Sequence, residues 1–291
     1  MASLLYFVRH VVAIMCGAGV ALTTPVFTAP SFARPLDDVI ASKVLRVILY
    51  DDNEPFSWDD HGTQRGIDVD IARAIAAKLG VTAELTLRMQ GEKLDQDLRA
   101  NVLRGTFGGG IAGDVMLHVP VDREMAAQVR EAVIANPYFQ QQVALAIHPD
   151  RSGEITSFDA FKTEKIGVQL ATVSDYFLMR FADGALINNV AHHIKPAQGI
   201  DRFVSKETLA MLGLRSNMEA MLKARHQAAR WVQLPMPGLV RATWVLGTAV
   251  NEQSRDLSYA IGAALNDMAT DGTLQAICAV YGVTYLPPPA P

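Results

Sequence analysis

Two α/β units laid end to end are what the sequence predicts, and three observations predict them. Short runs of branched and apolar residues alternate with segments whose apolar residues recur every three or four positions, as strands alternate with one-sided helices. This cycle runs once between Val44 and Val119 and begins again after Val143. Strand, helix, strand is in turn the pattern of a parallel sheet with crossover helices.

The first unit opens with Val44 to Tyr50, a branched, apolar run suited to a buried strand and stopped by Asp51-Asp52-Asn53-Glu54-Pro55. After Gly66-Ile67-Asp68-Val69-Asp70, residues Ile71, Ile75 and Leu79 form one helical face that Gly80 closes. Asp68 and Asp70 fall in its first turn, where the helix dipole favours negative charge. Val81, Ala83, Leu85 and Leu87 alternate as in a strand, Leu94, Leu98 and Val102 mark a helix, and Val115 to Val119 is another strand.

The second unit reads as a strand at Val143 to Ile147, a short helix at Ser157 to Phe161, a strand at Lys165 to Gln169 and a helix at Ala171 to Phe181. A strand at Leu209 to Leu212, a helix at Asn217 to Arg225 and a strand at Trp231 to Leu234 complete it. The chain returns through a strand at Trp244 to Val250 and a long helix with Leu257, Ile261, Leu265 and Met268 on one face. A last helix passes through Ile277 to Tyr281, and Pro287-Pro288-Pro289 make an extended or disordered terminus.

Residues 1–33 are set aside as a secretion signal: Arg9 and His10 precede an apolar run from Val11 to Val26, and Ser31-Phe32-Ala33 offers a cleavage site before Arg34. The run is too short for a permanent membrane anchor, and Met15 does not suit a lipoprotein site on Cys16. Cleavage leaves Cys278 as the only cysteine, so no intramolecular disulfide forms in an oxidising compartment. A net charge of −4, with no basic run and no acidic tail, argues against a nucleic-acid partner.

Catalytic motifs are absent. Gly108-Gly109-Gly110-Ile111-Ala112-Gly113 matches the dinucleotide fingerprint formally, but it follows a helix and opens a strand, the reverse of what that motif requires. There is no Gly-Lys-Ser/Thr phosphate loop, Gly-x-Ser-x-Gly elbow or His-Glu-x-x-His. His192-His193 reads as a surface pair whose rings point to opposite faces of a strand, unsuited to sharing a metal. The carboxylate pairs Asp51-Asp52 and Asp59-Asp60 read as turn formers.

Leu45-Arg46-Val47, Pro55-Phe56-Ser57-Trp58, Gly66-Ile67-Asp68-Val69-Asp70-Ile71 and Ala74-Ile75-Ala76 resemble the opening of the family 3 bacterial extracellular solute-binding proteins, the polar amino-acid receptors of ABC importers. Gly113-Asp114-Val115, Pro137-Tyr138-Phe139, Lys165 to Gln169 and Asp271-Gly272-Thr273-Leu274 continue the resemblance in the family's order. It implies a two-lobed periplasmic-binding-protein-like (type II) α/β fold: two parallel or mixed sheets with flanking helices, joined by two crossover strands and closing like a hinge on a small molecule. Residues 34–143 would form the first segment of lobe 1, 144–240 lobe 2, and 241–291 the return to lobe 1 with the C-terminal helices. The expected protein is a periplasmic monomer that is not an enzyme, has no metal or cofactor and docks on an importer permease.

The resemblance also points to cleft residues. Asp51 or Asp52 and Phe56 would follow the first strand, with first-lobe core the other reading for Phe56, and Trp58 would shield the rim. After the Asp114 strand the receptors carry an arginine that grips the ligand carboxylate. This chain reads His118-Val119-Pro120-Val121-Asp122-Arg123 there, and Arg123 is either that grip or a helix-start residue paired with Asp122 or Glu124. Gln169, Ala171 and Thr172 lie where a strand meets a helix N-terminus and free N–H groups receive an anion, although Thr172 also suits a helix cap. Where family members hold the ligand ammonium with an aspartate, Leu209 and Leu214 stand, followed by Arg215. An ammonium buried there would lack a partner, so the expected ligand is a polar or anionic molecule other than a standard α-amino acid. Arg215 is either a ligand contact or a surface residue at a helix start.

Asp114-Val115-Met116-Leu117-His118-Val119-Pro120 also resembles the J-type proteins that accompany quinoprotein methanol dehydrogenases, which implies a dehydrogenase partner as the second reading. Periplasmic cyclohexadienyl dehydratases resemble the same receptors, and for such an enzyme His118 is the candidate acid or base.

Overall fold

The computed structural model describes residues 34–106, 110–239 and 241–289. Residues 1–33, expected to be a secretion signal and containing Cys16, and Gly108 and Gly109 of the glycine run, lie outside the described residues. Helix α1 (Leu36–Ser42) leads into β1 (Val44–Tyr50), and the hairpin β2 (Trp58–Asp60) and β3 (Thr63–Arg65) precedes α2 (Ile67–Lys78). Next come β4 (Thr82–Arg88), α3 (Leu94–Leu98), β5 (Val115–Pro120) and α4 (Arg123–Gln128). Strand β6 (Ala132–Ile147) crosses to β7 (Ile166–Gln169), α5 (Val173–Arg180), β8 (Val190–His193), α6 (Pro196–Val204), β9 (Ala210–Leu214), α7 (Arg215–Ala224) and β10 (Arg230–Val232). Strand β11 (Thr243–Asn251) returns, and α8 (Arg255–Thr270) and α9 (Thr273–Val280) close the chain.

The strands hydrogen-bond in the order β4-β1-β5-β11-β6-β9-β7-β8, with β10 also on β6. Two α/β halves share this path. Strand β1 is parallel to β4 and β5, whereas β11 runs antiparallel to β5 and β6. Strand β6 pairs with β11 over Ala132 to Gln142 and with β9 over Val143 to Ile147, so it belongs to both halves.

Each half buries its sheet on both faces. Leu45, Val47 and Leu49 of β1 join a core with Ile71 and Ile75 of α2 and Ile261 of α8, while Ile48 and Tyr50 join Leu98 and Val102 on the other side. That is why β1 reads as a continuous apolar run rather than an alternating one. In the second half Val143, Leu145 and Ile147 pack with Phe158, Phe161 and Phe177, while Ala146 meets Ile200, Phe203 and Met218.

Three features differ from the sequence reading. Strand β6 is sixteen residues long, although only its last third is continuously apolar. Asn136-Pro137 and Gln140-Gln141-Gln142 interrupt the pattern where the strand passes between the two cores. The helix expected from Leu94 to Val102 is α3 followed by a wider π turn, Arg99–Leu103. Finally, the residues after α9 are tied down: Thr284 donates from N and Oγ1 to Glu219 at 2.7 and 2.9 Å, and the Leu286 carbonyl accepts from Gln140 N–H at 2.8 Å.

The loop after β1 sits on the N-terminus of α2. The carbonyls of Pro55 and Phe56 accept from the N–H groups of Ile67 and Asp68 at 3.0 and 2.8 Å, which satisfies two donors that a helix start leaves open. This close approach requires glycine at position 66, where φ is +130° and a Cβ would overlap the Phe56 carbonyl. Gly66→Ala is therefore expected to cost about 3 kcal/mol of stability, read as a lowered urea midpoint with the slope unchanged.

Candidate functional site

Two adjoining chambers lie between the halves, about 360 Å³ against the first and about 200 Å³ against the second. Leu214, Asn217 and Trp244 line both. The first half contributes the ends of β1 and β5, including Tyr50, His118 and Pro120, together with Asn53 and Gln90. The second contributes the starts of α5 and α7 and the end of β8, including Gln169, Thr172, His193 and Met218. Open α/β sheets place their ligands at such strand ends.

The first chamber rests on a buried carboxylate. Asp68, fully buried in the first turn of α2, accepts from the Tyr138 hydroxyl at 2.7 Å and contacts His118 Nδ1 at 2.7 Å. The Tyr138 oxygen accepts in turn from the His118 backbone N–H at 3.0 Å. Burial first, then the charge of Asp68, push the Tyr138 phenol well up, so it stays protonated and donates. His118 adopts a left-handed φ of 62°, and its ring lies edge-on to Phe56 at 4.6 Å between centroids. With Nδ1 engaged, Nε2 is the ring nitrogen left to meet a ligand.

The α7 start anchors the back of the cleft. The Ser216 hydroxyl donates to Gln141 Oε1 of β6 at 2.8 Å, and Asn217 Nδ2 reaches across to the Glu54 carbonyl in the first half at 2.8 Å.

The α5 start is closed by its own side chains. Thr172 Oγ1 accepts from Asp175 N–H at 3.3 Å, and the Asp175 carboxylate accepts from Ala171 N–H at 2.8 Å and meets His192 Nε2 at 2.9 Å. This differs from a capping box in that the Asp175 carboxylate takes the N–H of Ala171, the residue before the Thr172 cap, rather than that of the cap itself. The Ala171 N–H that an incoming anion would use is thus already bonded to an internal anion.

Of the residues singled out in the sequence, the structure brings His118, Pro120, Gln169 and Thr172 to the chambers. Phe56 lies in the first core, with its ring edge also against Phe139. Asp51 and Asp52 line neither chamber; the residue of their loop that does is Asn53. Trp58 packs edge-on against Tyr281, centroids 5.9 Å apart, beside the hairpin. Arg123 is exposed at the first position of α4, and Asp122 pairs with Arg241 instead. Arg215 is drawn to buried Glu219 at 2.8 Å and stacks over Trp231 at 5.4 Å, outside both chambers.

The sequence reading missed Tyr50, Asn53, Gln90, Gln141, Asn217 and Trp244. Gln141 stands just past the Pro137-Tyr138-Phe139 motif, and Asn217 three residues past Leu214, the position where the receptors' ammonium-binding aspartate was expected; those neighbours were the available signals. His193, expected at the surface, is buried with Gly199 pressed on its ring, and its Nδ1 has no hydrogen-bond partner among the described residues. Among those residues no cluster of three or more His, Cys, Asp or Glu side chains is arranged to hold a metal ion, and no helix is long and apolar enough to cross a membrane.

With this geometry in place, the likeness to known proteins can be stated. An Ancestral Cationic Amino Acid Solute Binding Protein superposes with a TM-score of 0.66 at 23% identity, over 85% of this chain and 99% of that one. The L-cystine solute receptor of Neisseria gonorrhoeae, in its unliganded open conformation, gives 0.64 at 22% identity over 88% and 100%. An ancestral cyclohexadienyl dehydratase gives 0.55 at 18% over 84% and 95%. Among curated proteins none matches the sequence. The fold is thus the mixed α/β fold of these two-lobed binding proteins. Residues 45–103 match the model of the bacterial extracellular solute-binding proteins, family 3.

Burial, then the nearby Arg202 and His192, push the His193 imidazole down to about 4, below the 6.5 of an unperturbed histidine. Above pH 6.5 neither folded nor unfolded chain binds a proton here. As the pH falls from 6.5 toward 4, only the unfolded chain takes one up, so folding stability declines across that window and levels off below it. Unfolding titrations between pH 4 and 7.5 are expected to show this component in the wild type and to lose it in His193→Gln.

Proposed function

We propose that this protein captures a small polar molecule other than a standard α-amino acid in its interlobe cleft and delivers it, as a periplasmic receptor, to an ABC importer. The observation that carries this reading is the chemistry facing the chambers. Leu214 stands where the receptors' ammonium-binding aspartate was expected, and no carboxylate lines either chamber among the described residues. An α-ammonium group there would be desolvated without a counter-charge, a cost of several kcal/mol.

His118, oriented by buried Asp68, supports a second reading in which a bound molecule is also transformed. A histidine whose Nδ1 is held by a carboxylate has the arrangement of a positioned acid or base. On that reading a cleft ligand is recovered chemically changed, and the change is lost in His118→Gln.

A thermal-shift screen tests the first reading, using amino acids, opines, sugar acids, dicarboxylates and small alcohols or aldehydes. A ligand at a hundred times its Kd stabilises the fold by about 2.7 kcal/mol, which moves the Tm visibly. The standard α-amino acids are expected to leave the Tm unchanged while another small solute raises it. A shift with a standard α-amino acid overturns the argument from Leu214. Silence across the whole screen transfers the reading to a protein partner such as a quinoprotein dehydrogenase.

A further inference from the structure

No Asp, Glu, Lys or Arg side chain lines either chamber among the described residues. The residues at 107–109 and 240, Phe, Gly, Gly and Val, add none. Of the arginines that come nearest in sequence, Arg215 pairs with Glu219 and Arg241 with Asp122, while Arg88 donates through Nη2 to the Ile111 carbonyl at 3.3 Å and its buried Nε has no partner among the described residues. An ion entering this cleft leaves water without meeting a carboxylate, ammonium or guanidinium among the lining side chains.

What the cleft offers instead is amides. Gln141 already accepts at Oε1 from Ser216, which leaves its NH2 group to donate. Asn217 donates through Nδ2 to Glu54, and its Oδ1, 3.2 Å from the Ser216 hydroxyl that also reaches Gln141, keeps a lone pair to accept. Asn53 Nδ2 and His193 Nδ1 have no partner among the described residues, and burial keeps His193 uncharged near neutral pH. Beside these groups, Met211, Met218 and Met221 make a soft apolar wall that adapts to shape.

We propose that the cleft takes an uncharged ligand of the amide class, a carboxamide, lactam or neutral heterocycle whose donor and acceptor edge meets Gln141 and Asn217 and whose apolar part lies against Met211, Met218 and Met221. The inference rests on reading the cleft as the solute site, and it narrows the ligand from polar or anionic to neutral.

Matched probes of one skeleton and different charge test it: benzamide, benzoate and benzylamine, and nicotinamide with nicotinate, titrated calorimetrically into protein expressed from the full chain. The neutral amide is expected to bind at least about 100-fold more tightly than its charged counterparts, the ratio that an unpaired buried charge imposes, with a Kd insensitive to salt. Gln169→Glu adds one negative charge to the second chamber with little change of shape; it is expected to weaken amide binding at least about tenfold and to make benzylamine binding measurable. Gln90→Glu repeats the test in the first chamber should the other variant fold poorly. Equal or tighter binding of benzoate or benzylamine to the wild type overturns the amide class and leaves the receptor reading standing. Silence of all the probes, charged and neutral, overturns the amide class, and silence of the broader solute screen as well removes the receptor reading with it.

Discussion

Strand β6 is hydrogen-bonded to β11 along its first eleven residues and to β9 along its last five. A single extended segment therefore carries the sheet from one core to the other, and the cleft exists because neither core covers its middle. Gln141 sits at that middle, buried yet polar, and its amide oxygen accepts from Ser216 at the start of α7. A polar residue within a strand is costly inside an apolar core; here it marks the place where the two cores stop.

The first wall of the cleft depends on Asp68 in a similar way. Its carboxylate is removed from water and holds both Tyr138, on β6, and His118, at the end of β5. Loss of that carboxylate would release the ring of His118 and the hydroxyl that fixes its backbone. The second wall has its own internal anion in Asp175, which closes the α5 turn. Both walls therefore spend their carboxylates on the protein itself, and the surface left to a solute is made of amides, imidazoles and thioethers.

Much of the fold was legible because it is periodic. The runs at β1, β5 and β11 and the apolar faces of α2 and α8 follow from repeats of about two and four residues, which local physics dictates. The cleft was less legible because its direction-setting contacts join distant parts of the chain. Arg215 looks like a free cation at a helix start until Glu219, itself held by Thr284, draws it away. Thr172 looks like either a cap or an anion receiver, and only the position of the Asp175 side chain decides between them. Asn53 and Asn217 stand in a turn and at a helix start, where polar residues are ordinary and carry no signal of a site. Asp68 was read correctly as a first-turn carboxylate, but its partners at 118 and 138 come from other strands.

The segment beyond α9 adds a third tie where the two strands pass between the halves. At Gln140 the edge of β6 opposite β11 is taken by the Leu286 carbonyl, and two residues earlier the same segment grips Glu219 on α7. The joint is thus a band of three chain segments rather than a pair. Two adjacent strands resist shear along their length but twist with ease, whereas a third tie leading to a helix at one side opposes rotation about the strand axis. The two halves are therefore joined by three chain segments and by the grip of Thr284 on α7, not by β6 and β11 alone.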